Sequence, residues 1–115
     1  MKIKSSWITI LVVIAVAVIA YFIITKPQAQ TPTEESIAKC IGQNSLLYVQ
    51  TGCSHCTDQE NLFGNNFKYI NSTDCLQNSG ACNNNNITAT PTWIIKGKEY
   101  IGVQSIKTLQ NLTGC

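Results

Sequence analysis

Two cysteines three residues apart, in Cys53-Ser54-His55-Cys56, constrain this chain more than any other feature. They follow the apolar run Leu46-Leu47-Tyr48-Val49, which predicts a buried strand. They precede Thr57-Asp58-Gln59-Glu60-Asn61-Leu62-Phe63-Gly64, a helical segment that stops at glycine. A strand that turns into a helix at such a motif puts its first cysteine at the helix N-terminus. Unpaired backbone N–H groups and the positive end of the helix dipole stabilise a thiolate there. The spacing lets the two sulfurs close a tight ring on each other. That ring opens and closes by thiol–disulfide exchange, with Cys53 attacking and Cys56 resolving.

A residue between the cysteines strengthens the chemistry. A protonated His55 imidazole beside the helix end would favour the Cys53 thiolate. Stabilising the thiolate favours the reduced form and makes the disulfide a stronger oxidant, which points towards introducing disulfides rather than removing them. Zinc binding is the competing use of such a motif. A zinc ribbon calls for a second Cys-x-x-Cys, whereas Cys75 and Cys82 have six residues between them, so no metal site is expected.

The chain has 115 residues and six cysteines, enough for one small domain and three bridges. Trp7 to Ile24 is apolar or small apart from Thr9, and eighteen residues at about 1.5 Å each span roughly 27 Å, enough to cross a bilayer core. Trp7 and Tyr21-Phe22 stand near its ends, where aromatic side chains favour the lipid interface. A cleaved signal peptide would have a shorter core and a small-x-small cleavage site, but Ala20 is followed by further apolar residues. Residues 1–25 are therefore expected to be an anchor, held in lipid through 7–24. Lys2 and Lys4 precede the span and Lys26 alone follows it closely, which places the N-terminus in the cytoplasm and the domain outside.

Beyond the anchor, Lys26 to Thr33 is polar, carries two prolines and forms a tether, leaving 34–115 as the folded domain. Five lysines there meet six acids, and the chain has no arginine. A nucleic-acid partner has no electrostatic support. Thr33 with Glu34 and Glu35 starts a helix whose apolar face is Ile37, Cys40 and Ile41 and whose stop is Gly42. Leu46 to Gln50 is the first strand, and Ser54 to Phe63 the helix that carries Cys56. Phe67-Lys68-Tyr69-Ile70-Asn71 alternates as a second strand. Residues 72–88 are irregular with room for at most a short helix. Thr92 to Lys96 and Lys98 to Ile101 form a hairpin through Gly97. Ser105 to Thr113 is a last amphipathic helix closed by Gly114.

With the Cys-x-x-Cys after a strand, Thr90-Pro91 before a later β run, and a closing hairpin and helix, residues 34–115 resemble the thioredoxin superfamily. The implied fold is α/β, a central mixed sheet with flanking helices, behind one N-terminal transmembrane helix. More narrowly, the chain is similar to the thioredoxin-like domains that partner vitamin K epoxide reductase homologues. The resembling pieces are Cys53-Ser54-His55-Cys56 with Gln59, Phe63-Gly64, the Cys75 and Cys82 pair, Pro91-Thr92-Trp93-Ile94-Ile95, Gly97-Lys98 with Tyr100 and Gly102, and Leu112-Thr113-Gly114-Cys115. The resemblance implies a protein disulfide oxidase or isomerase that needs no cofactor, acts on substrate proteins with thiols or disulfides, and is reoxidised by a vitamin K epoxide reductase-like membrane protein. It also implies a cis Thr90–Pro91 bond that brings the Thr90 backbone beside the Cys53 sulfur, where an extended substrate can pair.

Two departures stand out. Gly52 precedes the motif where thioredoxins carry an aromatic residue, and the strand Leu46–Gln50 lacks the acid that thioredoxins bury near the second cysteine. Cys75 and Cys82 close a short loop, a structural bridge in an oxidising compartment, with a second exchange pair as the alternative. Cys40 and Cys115 are then left over, and pairing them would tie the last helix to the first. Asn71-Ser72-Thr73, Asn86-Ile87-Thr88 and Asn111-Leu112-Thr113 fit the glycosylation sequon in an asparagine-rich chain. The rivals to an exchange enzyme are a non-catalytic peptide-binding module of the same fold, in which Cys53 is buried or permanently bridged, and a thiol-based metal-binding protein.

Overall fold

The computed structural model describes residues 2–24 and 33–115. The tether expected over 26–33 lies outside the described residues except for Thr33. Helix α1 covers Lys2–Ile24, and within it Ser6–Ile24 has a mean hydropathy of 2.9, long and apolar enough to cross a membrane by length and composition.

The domain follows as α2 (Glu35–Gln43), β1 (Leu46–Val49), α3 (Ser54–Asn61), a 3-10 turn (Gly64–Tyr69), β2 (Ser72–Asp74), α4 (Ser79–Asn84), β3 (Thr92–Ile95), β4 (Lys98–Ile101) and α5 (Ile106–Thr113). The four strands make one sheet in the order β2-β1-β3-β4. β2 runs parallel to β1, β3 antiparallel to β1, and β4 antiparallel to β3. This mixed sheet, with a helix leaving β1 at the cysteine pair and a cis proline entering β3, is the thioredoxin-like arrangement.

Burial explains why the short strands hold. Leu47, Val49, Trp93 and Ile95 share a face, with Leu47 directly opposite Trp93, and they meet Ala38 and Ile41 of α2, Cys56 of α3, Phe63, Ile70 and Leu109 of α5. Trp93, Phe63, Leu47, Ile41 and Leu109 are wholly removed from solvent. Each such side chain contributes on the order of 1.5–3 kcal/mol by area alone. Tyr48 and Thr92, which point to the opposite face, are buried as well, so the two central strands are covered on both sides.

Three expectations need correction. Phe67–Asn71 is not a strand. Gly64–Tyr69 is a 3-10 turn, and pairing with β1 begins only at Ser72. The alternation of Phe67, Tyr69 and Asn71 was outweighed by the three-residue spacing of Phe67 and Ile70, which a 3-10 turn brings to one side, where Phe67 also packs near Phe63. Thr33 does not cap α2. Its hydroxyl donates to the Leu62 carbonyl at 2.7 Å, and Asn66 Nδ2 donates to the Thr33 carbonyl at 2.6 Å, so the chain entry is fastened to the end of α3 instead. Gly42 does not end α2, which continues to Gln43.

Gly42 is there for proximity. A Cβ at this position would lie 2.0 Å from the Tyr69 carbonyl oxygen and 2.9 Å from its carbon, both backbone atoms that cannot turn away. Gly42→Ala should therefore lower stability by about 1–3 kcal/mol, the usual range for overpacking. The check is the urea unfolding midpoint, which should fall with an unchanged slope; an unaltered midpoint would show that α2 and the 3-10 turn can move apart freely.

Candidate redox site

The site is assembled by two strand ends. β1 finishes at Val49, and the chain turns so that the Cys53 N–H donates to the Gln50 carbonyl at 3.1 Å. Gly52 makes this turn with φ +85°, a left-handed conformation that an aromatic side chain would strain, which accounts for glycine in the position before the motif. Cys53 is the N-cap of α3, and its Sγ accepts the Cys56 N–H at 3.2 Å. Cys56 lies one turn in and is 2% exposed, whereas Cys53 is half-buried. The two are bridged, with Cα atoms 5.2 Å apart.

Thr90 approaches from the other strand. β3 is antiparallel to β1, so its start lies beside the end of β1, and the cis Thr90–Pro91 bond turns Thr90 towards the sulfur. The Thr90 carbonyl oxygen is 3.5 Å from Cys53 Sγ and its hydroxyl oxygen 3.6 Å. Pro91 is engaged elsewhere, its carbonyl accepting the Gly102 N–H at 2.8 Å. Among the described residues the Thr90 N–H donates no hydrogen bond, and the Thr90 carbonyl lies beside the sulfur.

His55 lies on the outer side of α3, with Nδ1 3.6 Å from Asp58 Oδ2 and both side chains well exposed. It joins Thr90, Pro91, Ile101, Gly102 and Val103 in lining a groove of about 440 Å³.

The other cysteines form two further bridges, Cys75–Cys82 and Cys40–Cys115, with Cα separations of 5.6 and 5.9 Å. The first closes the loop between β2 and α4 on the same rim as the redox pair, because the Cys75 N–H donates to the Val49 carbonyl at 2.8 Å, one residue before Gln50. The second joins α2 to the C-terminus, far along the chain from the motif. No three His, Cys, Asp or Glu side chains gather into a metal-binding set among the described residues.

Three residues brace the site without a role that the sequence assigned them, although Gln59 belongs to the resembling motif. Gln59 is wholly buried; its Oε1 accepts the Trp93 Nε1–H at 3.0 Å and the Gln104 N–H at 2.7 Å, while its Nε2 donates to the Gln104 carbonyl at 3.1 Å. Its signal was position, three residues after Cys56 and so on the same inward face of α3. Gln104 is the second. Asp74 is the third: it accepts from the Thr51 hydroxyl and, at 2.8 Å, from the Leu76 N–H, bonds that hold its carboxyl below the ordinary carboxylate range, the Thr51 bond most of all. A depressed carboxyl gives stability that is complete above the ordinary range and lost as pH falls through the folded value. The Thr51 turn is therefore tied to β2 at neutral pH.

No family model matches the chain. Over 104 residues it is 28% identical to the thiol-disulfide oxidoreductase LTO1 of Arabidopsis thaliana, covering 82% of this chain and 28% of that protein. The chain thus spans less than a third of that relative's length. Among solved structures it is similar to an N-terminal domain of the alkyl hydroperoxide reductase AhpF from Enterococcus faecalis, with TM-score 0.48 and 19% identity over 71% of this chain and 45% of that one. It is also similar to oxidised thioredoxin from Plasmodium falciparum, with TM-score 0.48 and 18% identity over 71% of this chain and 90% of that one. The strand order and the helix that leaves β1 at the cysteine pair carry the fold assignment without them.

The unequal exposure of the two sulfurs gives a direct expectation. After reduction, peptide-resolved iodoacetamide labelling should modify Cys53 well below the free-thiol pKa of about 8.5, while Cys56 reacts slowly. Equal rates for the two would contradict the N-cap geometry.

Proposed function

We propose that the chain is a membrane-anchored, extracytoplasmic thiol–disulfide oxidoreductase that oxidises substrate protein thiols through Cys53 and Cys56. The carrying observation is the bridged pair at the start of α3, with the Cys53 sulfur 3.5 Å from the Thr90 carbonyl oxygen. A substrate thiolate attacks Cys53 Sγ, the Cys53–Cys56 bond breaks, and Cys56 leaves as a thiolate. A second substrate thiolate then attacks the substrate sulfur of the mixed disulfide and expels Cys53. The substrate loses two protons and two electrons, and the pair gains the electrons. In the reverse direction Cys53 attacks a substrate disulfide and Cys56 resolves the intermediate. No cofactor is required, because the sulfurs carry the electrons.

The geometry supports the division of labour. The half-buried Cys53 can be reached and its thiolate is met by the Cys56 N–H and the α3 N-terminus. Burial protects Cys56 from outside thiols while leaving it within bonding distance of its neighbour. Thr90 supplies the strand-pairing groups for an extended substrate, with Pro91 fixing the bend. Cys75–Cys82 and Cys40–Cys115 serve as structural bridges. Helix α1 supplies the anchor, with residues 1–25 in and near lipid, 26–33 as tether and 34–115 as the domain outside the cytoplasm. A vitamin K epoxide reductase-like membrane protein is the proposed oxidant for the dithiol, drawn from the motif resemblance. The name of the plant relative is in keeping with exchange chemistry.

The test is a redox titration of the full chain. Equilibration with glutathione should place the Cys53–Cys56 couple well above the thioredoxin value of about −270 mV. His55→Ala should lower it by no more than about 20 mV, since an exposed charge contributes under about 1 kcal/mol and Asp58 faces the same imidazole. A potential at or below that of thioredoxin would make the domain a reductant and remove the oxidative role.

A further inference from the structure

The three glycosylation sequons take no part in the redox site, and the fold treats them differently. Asn71-Ser72-Thr73 runs into β2: the Asn71 carbonyl accepts the Leu47 N–H at 2.9 Å, and Ser72 and Thr73 are in register with Leu47 and Tyr48 of β1. Asn111-Leu112-Thr113 lies in the last turn of α5, where Thr113 is 7% exposed and its hydroxyl donates to the Leu109 carbonyl at 2.6 Å. Asn86-Ile87-Thr88 follows α4 and belongs to no helix or strand. Asn86 and Thr88 are both exposed, and among the described residues neither the Asn86 amide nor the Thr88 hydroxyl makes a hydrogen bond.

We propose that Asn86 is an acceptor for N-linked glycosylation in the folded domain, and that the fold withholds the other two sequons. The inference rests on the placement of the domain outside the cytoplasm, the side of a membrane on which such transfer takes place. The donor is an oligosaccharide carried on a lipid diphosphate. The Asn86 amide nitrogen bonds to the anomeric carbon of the sugar, and the bond from that carbon to the diphosphate oxygen breaks. The lipid diphosphate leaves, and the amide proton passes to a base of the transferase. Such an enzyme must hold the carboxamide and the hydroxyl two residues on at once. At 86–88 both groups are free, and no strand pairing or side-chain bond has to be broken. At 71–73 the enzyme would have to peel β2 from β1. At 111–113 it would have to unwind the end of α5, next to the Cys40–Cys115 bridge, and draw Thr113 from its buried place.

Asparagine also suits the backbone of this turn. Asn86 has φ +55°, a left-handed conformation that asparagine enters more readily than most side chains. The turn is firm on its α4 side, because the Asn85 and Ile87 N–H groups both donate to the Cys82 carbonyl, at 3.2 and 3.0 Å, and Cys82 is bridged to Cys75. A bulky, hydrated glycan is thus planted on a bridged turn, four residues before Thr90.

The experiment incubates the oxidised full chain in detergent with a lipid-linked oligosaccharide and a single-subunit oligosaccharyltransferase that accepts Asn-x-Ser/Thr sequons. Peptide mass spectrometry reads each site, and each rate is divided by that of a synthetic peptide carrying the same sequon. On this scale Asn86 should be modified about tenfold faster than Asn71 and Asn111, which require local opening. Thr88→Ala should abolish transfer to Asn86. No transfer to Asn86, scaled rates within about twofold at the three sites, or transfer that survives Thr88→Ala would overturn the proposal. A second arm expresses the chain in cells whose transferase faces the exterior. A chain modified when purified but never in those cells would contradict the extracytoplasmic placement and with it the modification in cells, whereas failure with the purified chain would sink only the assignment to Asn86.

Discussion

The antiparallel pairing of β1 with β3, set by Leu47 opposite Trp93 in the core, is what the site depends on. Cys53 comes from the chain leaving β1 and Thr90 from the chain entering β3, so their separation is the register of two strands plus a short turn on each side. A slip of β3 by one residue would turn Trp93 out of the core. The same slip would carry the Thr90 carbonyl away from the sulfur. Packing and chemistry are thus held by one constraint, which makes the site a property of the rigid sheet rather than of a loop.

Gln59 extends that constraint to the helix. A neutral amide in the core is costly unless every polar atom is satisfied, and this one makes three hydrogen bonds. It links α3, which carries both cysteines, to Trp93 of β3 and to Gln104 beside the apolar groove. Its loss would leave the Trp93 N–H buried without a partner, at about 1–3 kcal/mol. Gln59 carries no charge. This position of α3 therefore supplies no acid to Cys56.

Much of this was legible in the residues. The Cys-x-x-Cys at a strand-to-helix junction, the Lys96–Gly97 hairpin and the Ser105-to-Gly114 helix all carry strong local signals, and all three appear where the patterns put them. Over Phe67–Asn71, five residues of alternation suit a strand and a three-residue repeat suits a 3-10 turn equally well, and only contacts with α2 and Phe63 choose between them. Gly42 was misread for a related reason: a glycine near a helix end looks like a stop, and its true cause, the Tyr69 carbonyl, is far away in sequence. Thr33 bonds to Leu62 and Gln59 to Trp93, again partners that no local window contains. Local chemistry was readable, and long-range hydrogen bonding was not.

The central claim is that Cys53 forms a mixed disulfide with substrate proteins and that Cys56 is its internal partner. Its most direct test is trapping in cells, using the full chain with Cys56→Ser so that a mixed disulfide made by Cys53 cannot be resolved. Thiol-sensitive adducts of higher mass should accumulate with this variant, and they should be absent when Cys53→Ser is made instead. The same adducts in both variants, or none in either, would contradict the account.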